Sequence, residues 1–177
     1  MRLSLHRDWV AQTLVDTPLG PLRLAASVHG LGGAWFEDQK HHPGPLAAPA
    51  WADHPVLAQA RDELEAYWRA PRHTRFSTPL DPAGTTFQRA VWTALCALEP
   101  GQTCSYGALA RQLQHTQAVR AVGAAVGRNP LSIFIPCHRV LGADGSLTGY
   151  AGGLARKRAL LRSEGVPLPA DLFTSTP

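Results

Sequence analysis

The chain has 177 residues, 45% apolar and 17% charged, enough for one globular unit or two small domains sharing an interface. It contains no apolar run of about 18 residues for a transmembrane helix. The opening "MRLSLHRDWV" lacks the pattern of a secretory signal. With no export signal the expected location is the cytoplasm, where thiols stay reduced, and Cys96, Cys104 and Cys137, odd in number and without C-x-x-C spacing, argue against a disulfide framework or a zinc cage.

The net charge of +4 is unevenly spread: residues 1–84 carry eight basic and nine acidic side chains, residues 85–177 nine basic and four acidic. Almost all the basic residues are arginine, which suits phosphate and base recognition through its planar fork. A basic half-chain points to a polyanion partner, although a solvated arginine-rich face explains it equally well.

Residues 11–28, "AQTLVDTPLGPLRLAASV", predict two short strands around a "TPLGP" turn, and "GLGGAWFED" a third. The Pro- and Ala-rich stretch at 41–52 predicts a loop, in which the His41–His42 pair has no third metal ligand near it in sequence. Asp53 is the expected cap of a helix running to about Arg69, with Val56, Ala60, Leu64 and Tyr67 on one stripe. "TRFSTPL" (74–80) is expected to be the last strand of this half, which carries no chemical motif.

"DPAGTT" (81–86) marks a domain boundary, dividing the chain into 1–84 and 85–177. Beyond it Phe87, Val91, Ala94, Leu95 and Leu98 form a helical stripe ended by Pro100–Gly101. Ser105 is placed to cap a short helix, "YGALARQL". After the turn "QHTQ", "AVRAVGAAVGRN" forms a second, and the pair suggests a helix-turn-helix. That second helix has Arg120 as a long polar side chain among small groups, unlike helices that read base edges. It is either a buried helix packed on a neighbour or one pressed into a narrow groove with Arg120 as its probe. "LSIFI" predicts a strand leading into Pro136–Cys137, and residues 153–164 a basic amphipathic helix stopped by Gly165.

"IPCHRV" (135–140) sets Cys137 beside His138 and Arg139. A thiol attacks only as thiolate, so a base or a positive neighbour has to shift it. Adjacent residues in a regular strand point to opposite faces, so contact between Cys137 and His138 requires a turn or a bridging water. From these residues alone the cysteine is a nucleophile, a metal ligand or a buried structural thiol.

"SYGALA" (105–110), "AVRAVGAAVGRNP" (118–130), "IPCHRV" (135–140), "GYAGGLARKRALL" (149–161) and "SEG" (163–165) together resemble the O6-alkylguanine-DNA alkyltransferases, in that family's order and spacing. The likeness spans about Phe87 to Gly165, with a looser one in "TPLGPLRLAA". It implies an α/β (α+β) fold: a small ribonuclease H-like α/β domain, then a helical, winged-helix-like domain with a helix-turn-helix. It also implies a methylated-DNA–[protein]-cysteine S-methyltransferase that flips O6-methylguanine, or O4-methylthymine, from duplex DNA. The alkyl group passes irreversibly to the protein's own Cys137, once per molecule.

By the same resemblance His138 activates the thiol through a water, Glu164 orients the histidine, and Tyr106 rotates a phosphate and assists the leaving guanine. Arg120 fills the space of the flipped base. Ala118, Ala121, Gly123 and Arg128 meet the DNA through its minor groove. Asn129 braces the turn before the cysteine, and Tyr150 and Val140 line the pocket. The expected state is a monomer with no cofactor and no contact with a membrane. No metal is expected, because Ser27 and Gly32 stand where some relatives hold structural zinc ligands. The chief alternative is a module that recognises alkyl damage without transfer, but such proteins lack the acceptor cysteine. A cysteine hydrolase is a weaker one, since nothing resembles an oxyanion loop.

Overall fold

The computed structural model describes residues 8–168, so the first seven residues of the opening stretch considered above lie outside the described residues. It is a mixed α/β structure. Strands β1 (Ala11–Val15), β2 (Leu22–Ser27) and β3 (Gly30–Phe36) form an antiparallel sheet in the order β1-β2-β3. The β1–β2 turn closes through Thr17, whose hydroxyl accepts from the Leu19 amide and donates to the Gly20 carbonyl. All of β3 is buried, as expected of a strand covered on both faces. Helix α1 (Pro55–Arg69) packs against the sheet. The second half of the chain reaches β3 through the Ala34 amide to the Pro130 carbonyl and the Ser132 amide to the Ala34 carbonyl, both 2.9 Å.

Helix α1 (Pro55–Arg69) buries Leu57, Ala60, Leu64 and Tyr67, so Leu57, and not the half-buried Val56, begins the buried stripe. The expected Asp53 cap is replaced by His54, which makes no side-chain cap bond. Pro55 explains the shift: its fixed φ starts the helix and its ring removes one amide that a cap would have to satisfy. Residues 74–80 are not the expected strand; among them only Leu80 bridges, to Leu31. The Ser77 and Thr78 amides donate instead to the Glu63 carboxylate, and Pro79 has no donor to offer a ladder.

Helix α2 (Thr86–Cys96) starts at a capping box in which the Gln88 amide donates to Thr85 Oγ1 and the Thr85 amide to Gln88 Oε1. It buries Val91, Trp92 and Leu95 and ends two residues short of Leu98. Helix α3 (Tyr106–Gln112) is capped by Ser105, which accepts from the Ala108 amide at 3.1 Å. Helix α4 (Val119–Gly127) packs on α2 and α3, and Trp92 Nε1 donates to the Ala125 carbonyl at 2.9 Å.

The expected strand at 131–135 is a turn, with Ile133 at φ 75°. Asn129 is the reason. Its side chain accepts from the Leu131 amide and donates to the Leu131 and Ile135 carbonyls, so the backbone groups a ladder needs are satisfied locally. A single 3-10 turn, Cys137–Arg139, follows. Two two-residue strands that the sequence did not reveal, β4 (Cys104–Ser105) and β5 (Val140–Leu141), pair in parallel around it. Helix α5 (Leu154–Ser163) closes on Glu164 as its cap residue and Gly165 at φ 76°. One hydrophobic core runs from β2 and α1 through α2 and α4 to Cys137 and Leu160.

Candidate active site

Cys137 is buried at the start of the 3-10 turn, where its Sγ accepts a hydrogen bond from Asn129 Nδ2 at 3.0 Å. The same amide group therefore shapes the 129–135 turn and touches the sulfur. Burial pushes the Cys137 thiol up; the Asn129 hydrogen bond and the charge of Lys157 pull it down without cancelling that effect. At rest the group is a thiol, and it needs a base.

His138 lies fully buried on the next residue of the turn. Its Nε2 is 2.9 Å from Glu164 Oε1, and its Nδ1 has no hydrogen-bond partner. Burial lowers the imidazole's proton affinity, against the opposing pull of Glu164. The Glu164 carboxylate is ionised, because the hydrogen bonds and charges of His138 and Arg139 outweigh burial and bring it down to about 2. An ionised carboxylate only accepts, so the neutral ring carries its proton on Nε2 and leaves the Nδ1 lone pair free. That is the form required of a proton acceptor.

Arg139 does not serve the thiol, as its place in "CHRV" allowed. It turns to Glu164, donating from Nε to Oε2 and from Nη2 to Oε1, both 2.8 Å, and from Nη1 to the Leu98 carbonyl at 2.5 Å. The positive charge that acts on Cys137 belongs to Lys157. Lys157 is fully buried on α5 and donates to the carbonyls of Val140, Thr148 and Gly149 at 2.5, 2.5 and 3.3 Å. Burial brings it down to about 8. Sequence reasoning missed it, since one lysine in "GLARKRALL" reads as another basic residue on a solvated face.

Comparison with known proteins gives the family of the chain. Residues 86–166 match the family model described as the 6-O-methylguanine DNA methyltransferase, DNA binding domain. The methylated-DNA–protein-cysteine methyltransferase of Mycobacterium tuberculosis is 45% identical over 159 residues, covering 89% of this chain and 94% of that protein. That of Haemophilus influenzae is 40% identical over 158 residues, 88% of this chain and 86% of that one. The chain belongs to the methylated-DNA–protein-cysteine methyltransferase family. Its enzymatic class is methylated-DNA–[protein]-cysteine S-methyltransferase, a DNA-binding repair activity. Among solved structures, Mycobacterium tuberculosis OGT in complex with DNA superposes with a TM-score of 0.81 at 43% identity, over 88% of this chain and 93% of that one.

The remaining residues that the family resemblance singled out fall into two groups. The Tyr106 and Tyr150 hydroxyls are each pushed up chiefly by burial, and both lie close enough to Cys137 to feel its charge once it ionises. Tyr106 donates to the Thr148 and Gly149 carbonyls at the long distances of 3.4 and 3.5 Å. The Tyr150 hydroxyl is buried with no partner in hydrogen-bond geometry, though Ser132 offsets part of the effect of burial, and its ring stands 2.7 Å from where a Cβ on Gly152 would be, so glycine is required there. Val140 is buried in β5 and accepts from Lys157.

The second group lies on α4. Arg120 and Ala121 are exposed, Ala118 is half-buried at the cap, and Arg128 is exposed at the far end. Gly123 faces the Tyr106 ring, 3.7 Å from where its Cβ would be. The basic excess of this half is not all on the surface: Arg139 and Lys157 are internal, and Arg156 bonds the Leu19 carbonyl, pairs with Asp38 and stacks over Phe36. Among the described residues no group of three or more His, Cys, Asp or Glu could hold a metal. His42 lies 3.6 Å from Glu37 and accepts from the Gly44 amide. No helix of the described residues is long and apolar enough to cross a membrane.

Proposed function

We propose that this protein repairs O6-alkylguanine, and O4-methylthymine, in double-stranded DNA by moving the alkyl group irreversibly onto Cys137, one event per molecule. The observation that carries the reading is a buried thiol held by Asn129 beside a neutral histidine whose Nε2–H is fixed on Glu164. His138 Nδ1 takes the thiol proton through a bridging water. The thiolate attacks the alkyl carbon in line; the S–C bond forms, the C–O6 bond breaks, and its electron pair returns to guanine. The Tyr106 hydroxyl donates to the leaving base. The proton lost by the thiol ends on guanine, so the products are a thioether and an intact base. A thioether has no leaving group as good as the guanine anion, and the reaction stops.

The target atom lies inside the duplex, so the nucleotide rotates out at a cost of a few kcal/mol. Arg120, exposed on α4, replaces its stacking. The small face of Ala118 and Ala121, with Gly123 supporting Tyr106, lets α4 approach the minor groove without reading bases, and Arg128 meets phosphate. Asn129, Tyr150 and Val140 shape the pocket. Residues 1–84 act as a ribonuclease H-like supporting domain. Residues 85–177 act as a winged-helix-like DNA-binding and acceptor domain; this division is supported by the Thr85 capping box that opens α2. The protein works as a cytoplasmic monomer.

The test is an intact mass after mixing with a duplex containing O6-methylguanine. The expected result is one added methyl, on Cys137, at no more than one per molecule. DNA binding without a mass change would favour a recognition module, and repeated turnover would favour a hydrolase.

A further inference from the structure

Tyr67, on α1, lies far from the reactive turn in sequence, yet its fully buried hydroxyl donates to Glu164 Oε1 at 2.9 Å. That oxygen also takes His138 Nε2 and Arg139 Nη2. Just beyond α1, Arg72 donates from Nε to the Glu164 carbonyl and from Nη2 to the Gly165 carbonyl, both 3.1 Å. Gly165 permits this in two ways: its φ is +76°, and a Cβ would overlap the Arg72 guanidinium. The Tyr67 ring is packed between Trp68 and Phe76, at 5.1 and 5.6 Å, and Phe76 lies 4.6 Å from Phe134 in the turn before Cys137.

A carboxylate has about four acceptor positions. Arg139 bidentately, His138 and the Gly101 amide already occupy Glu164 without help from α1. The Tyr67 hydroxyl is therefore not needed to satisfy the buried charge. It competes with His138 for the same oxygen, drawing negative charge away from the imidazole.

We propose that Tyr67 is a positioning residue that sets the proton affinity of His138 through the shared oxygen of Glu164, so that the first half of the chain tunes a site built in the second. This rests on the reading that His138 accepts the Cys137 proton. The groups facing the pair are Tyr67 from α1, Arg72 beyond it, Cys137 and Arg139 from the 3-10 turn, and Lys157 from α5. The direction follows from the charge. Removing the Tyr67 donor leaves Glu164 Oε1 more negative toward His138, raises the histidine's proton affinity and moves the acid limb of the transfer rate to higher pH.

Two replacements at position 67 test this: Tyr67→Phe, which fills the same space without a donor, and 3,5-difluorotyrosine, a stronger donor. The readouts are the pH dependence of single-turnover transfer and the titration of the His138 Cε1–H resonance by NMR. Tyr67→Phe should raise the midpoint by about half a unit and slow transfer about threefold below it, while the fluorinated residue should lower the midpoint. Midpoints that stay put, or move the same way in both proteins, overturn the proposal; so does a loss of rate that is equal at all pH. Should Tyr67→Phe not fold, the fluorinated protein decides alone. If the wild-type protein transfers no alkyl group, the function reading fails, and the NMR titration still tests the role of Tyr67.

Discussion

At Glu164 one side chain gathers donors from three parts of the chain: Tyr67 on α1, His138 and Arg139 in the 3-10 turn, and the Gly101 amide. Its carboxyl is brought down to about 2, whereas an unfolded glutamate titrates near ~4.3. The folded form therefore binds fewer protons over that interval, and the stability this confers is fully present above about 4.3 and lost as pH falls through about 2. Glu164→Gln would leave the Arg139 charge buried without its counterion. We expect the variant to be less stable at pH 7 by about 3 kcal/mol, and the gap to close between pH ~4.3 and ~2. Denaturant melts at pH 7, 4 and 3 measure this; a gap independent of pH would show that the carboxylate charge is not what stabilises the site.

At the scale of elements, α4 has two unlike faces. Val122, Ala125 and Val126 are buried against α2 and α3, while Arg120 and Ala121 are exposed. The reading of this helix as packed on a neighbour describes its inner face, and its outer face is exposed. Because Arg120 is exposed, Arg120→Ala should change stability by no more than about 0.5 kcal/mol. It should slow repair of modified duplex far more than reaction with the free modified base. Equal loss on both substrates would end the role given to Arg120. Helix α5 shows the opposite situation: its apparent basic stripe contains Lys157, which enters the core and ties Val140 to the 148–149 segment. Neither the period nor the charge of α5 distinguishes an inward lysine from an outward one, because the carbonyls that receive it lie outside the helix, in β5 and the 148–149 segment.

For the whole molecule, the shared core predicts cooperative behaviour. Core residues from β2, α1, α2, α4 and the Cys137 turn form one cluster, so unfolding should follow a single calorimetric transition. Alkylation of Cys137 would add volume at a sulfur packed 3.0 Å from Asn129 Nδ2, in a turn that this asparagine holds together. Overpacking of this kind costs about 1–3 kcal/mol, which lowers the melting temperature of a chain this size by roughly 2–12 °C. Calorimetry before and after reaction checks both points: an unchanged melting temperature would show that the turn absorbs the alkyl group without strain, and two separate transitions would show that the halves unfold independently.

Local signals in the sequence were enough for β1 to β3, for the Ser105 cap, and for a helix that stops at Gly165. Each depends on side chains within a few residues, and neighbouring propensity and turn chemistry settle it. The two expected strands at 74–80 and 131–135 failed chiefly because Glu63 and Asn129 capture backbone groups that a ladder would have used, with Pro79 withholding a donor in the first, and neither run by itself announces such a competitor. The ordered blocks from "SYGALA" to "SEG" sufficed to identify the family, and they singled out Cys137, His138 and Glu164 as residues to examine together. Only the tertiary structure decided that Arg139 serves Glu164 and not the thiol, that Lys157 points inward, and that Tyr67 reaches Glu164 across 97 residues. Those contacts join residues that no period or motif connects, and they exist because burial leaves each polar group only the partners that packing brings within hydrogen-bond reach.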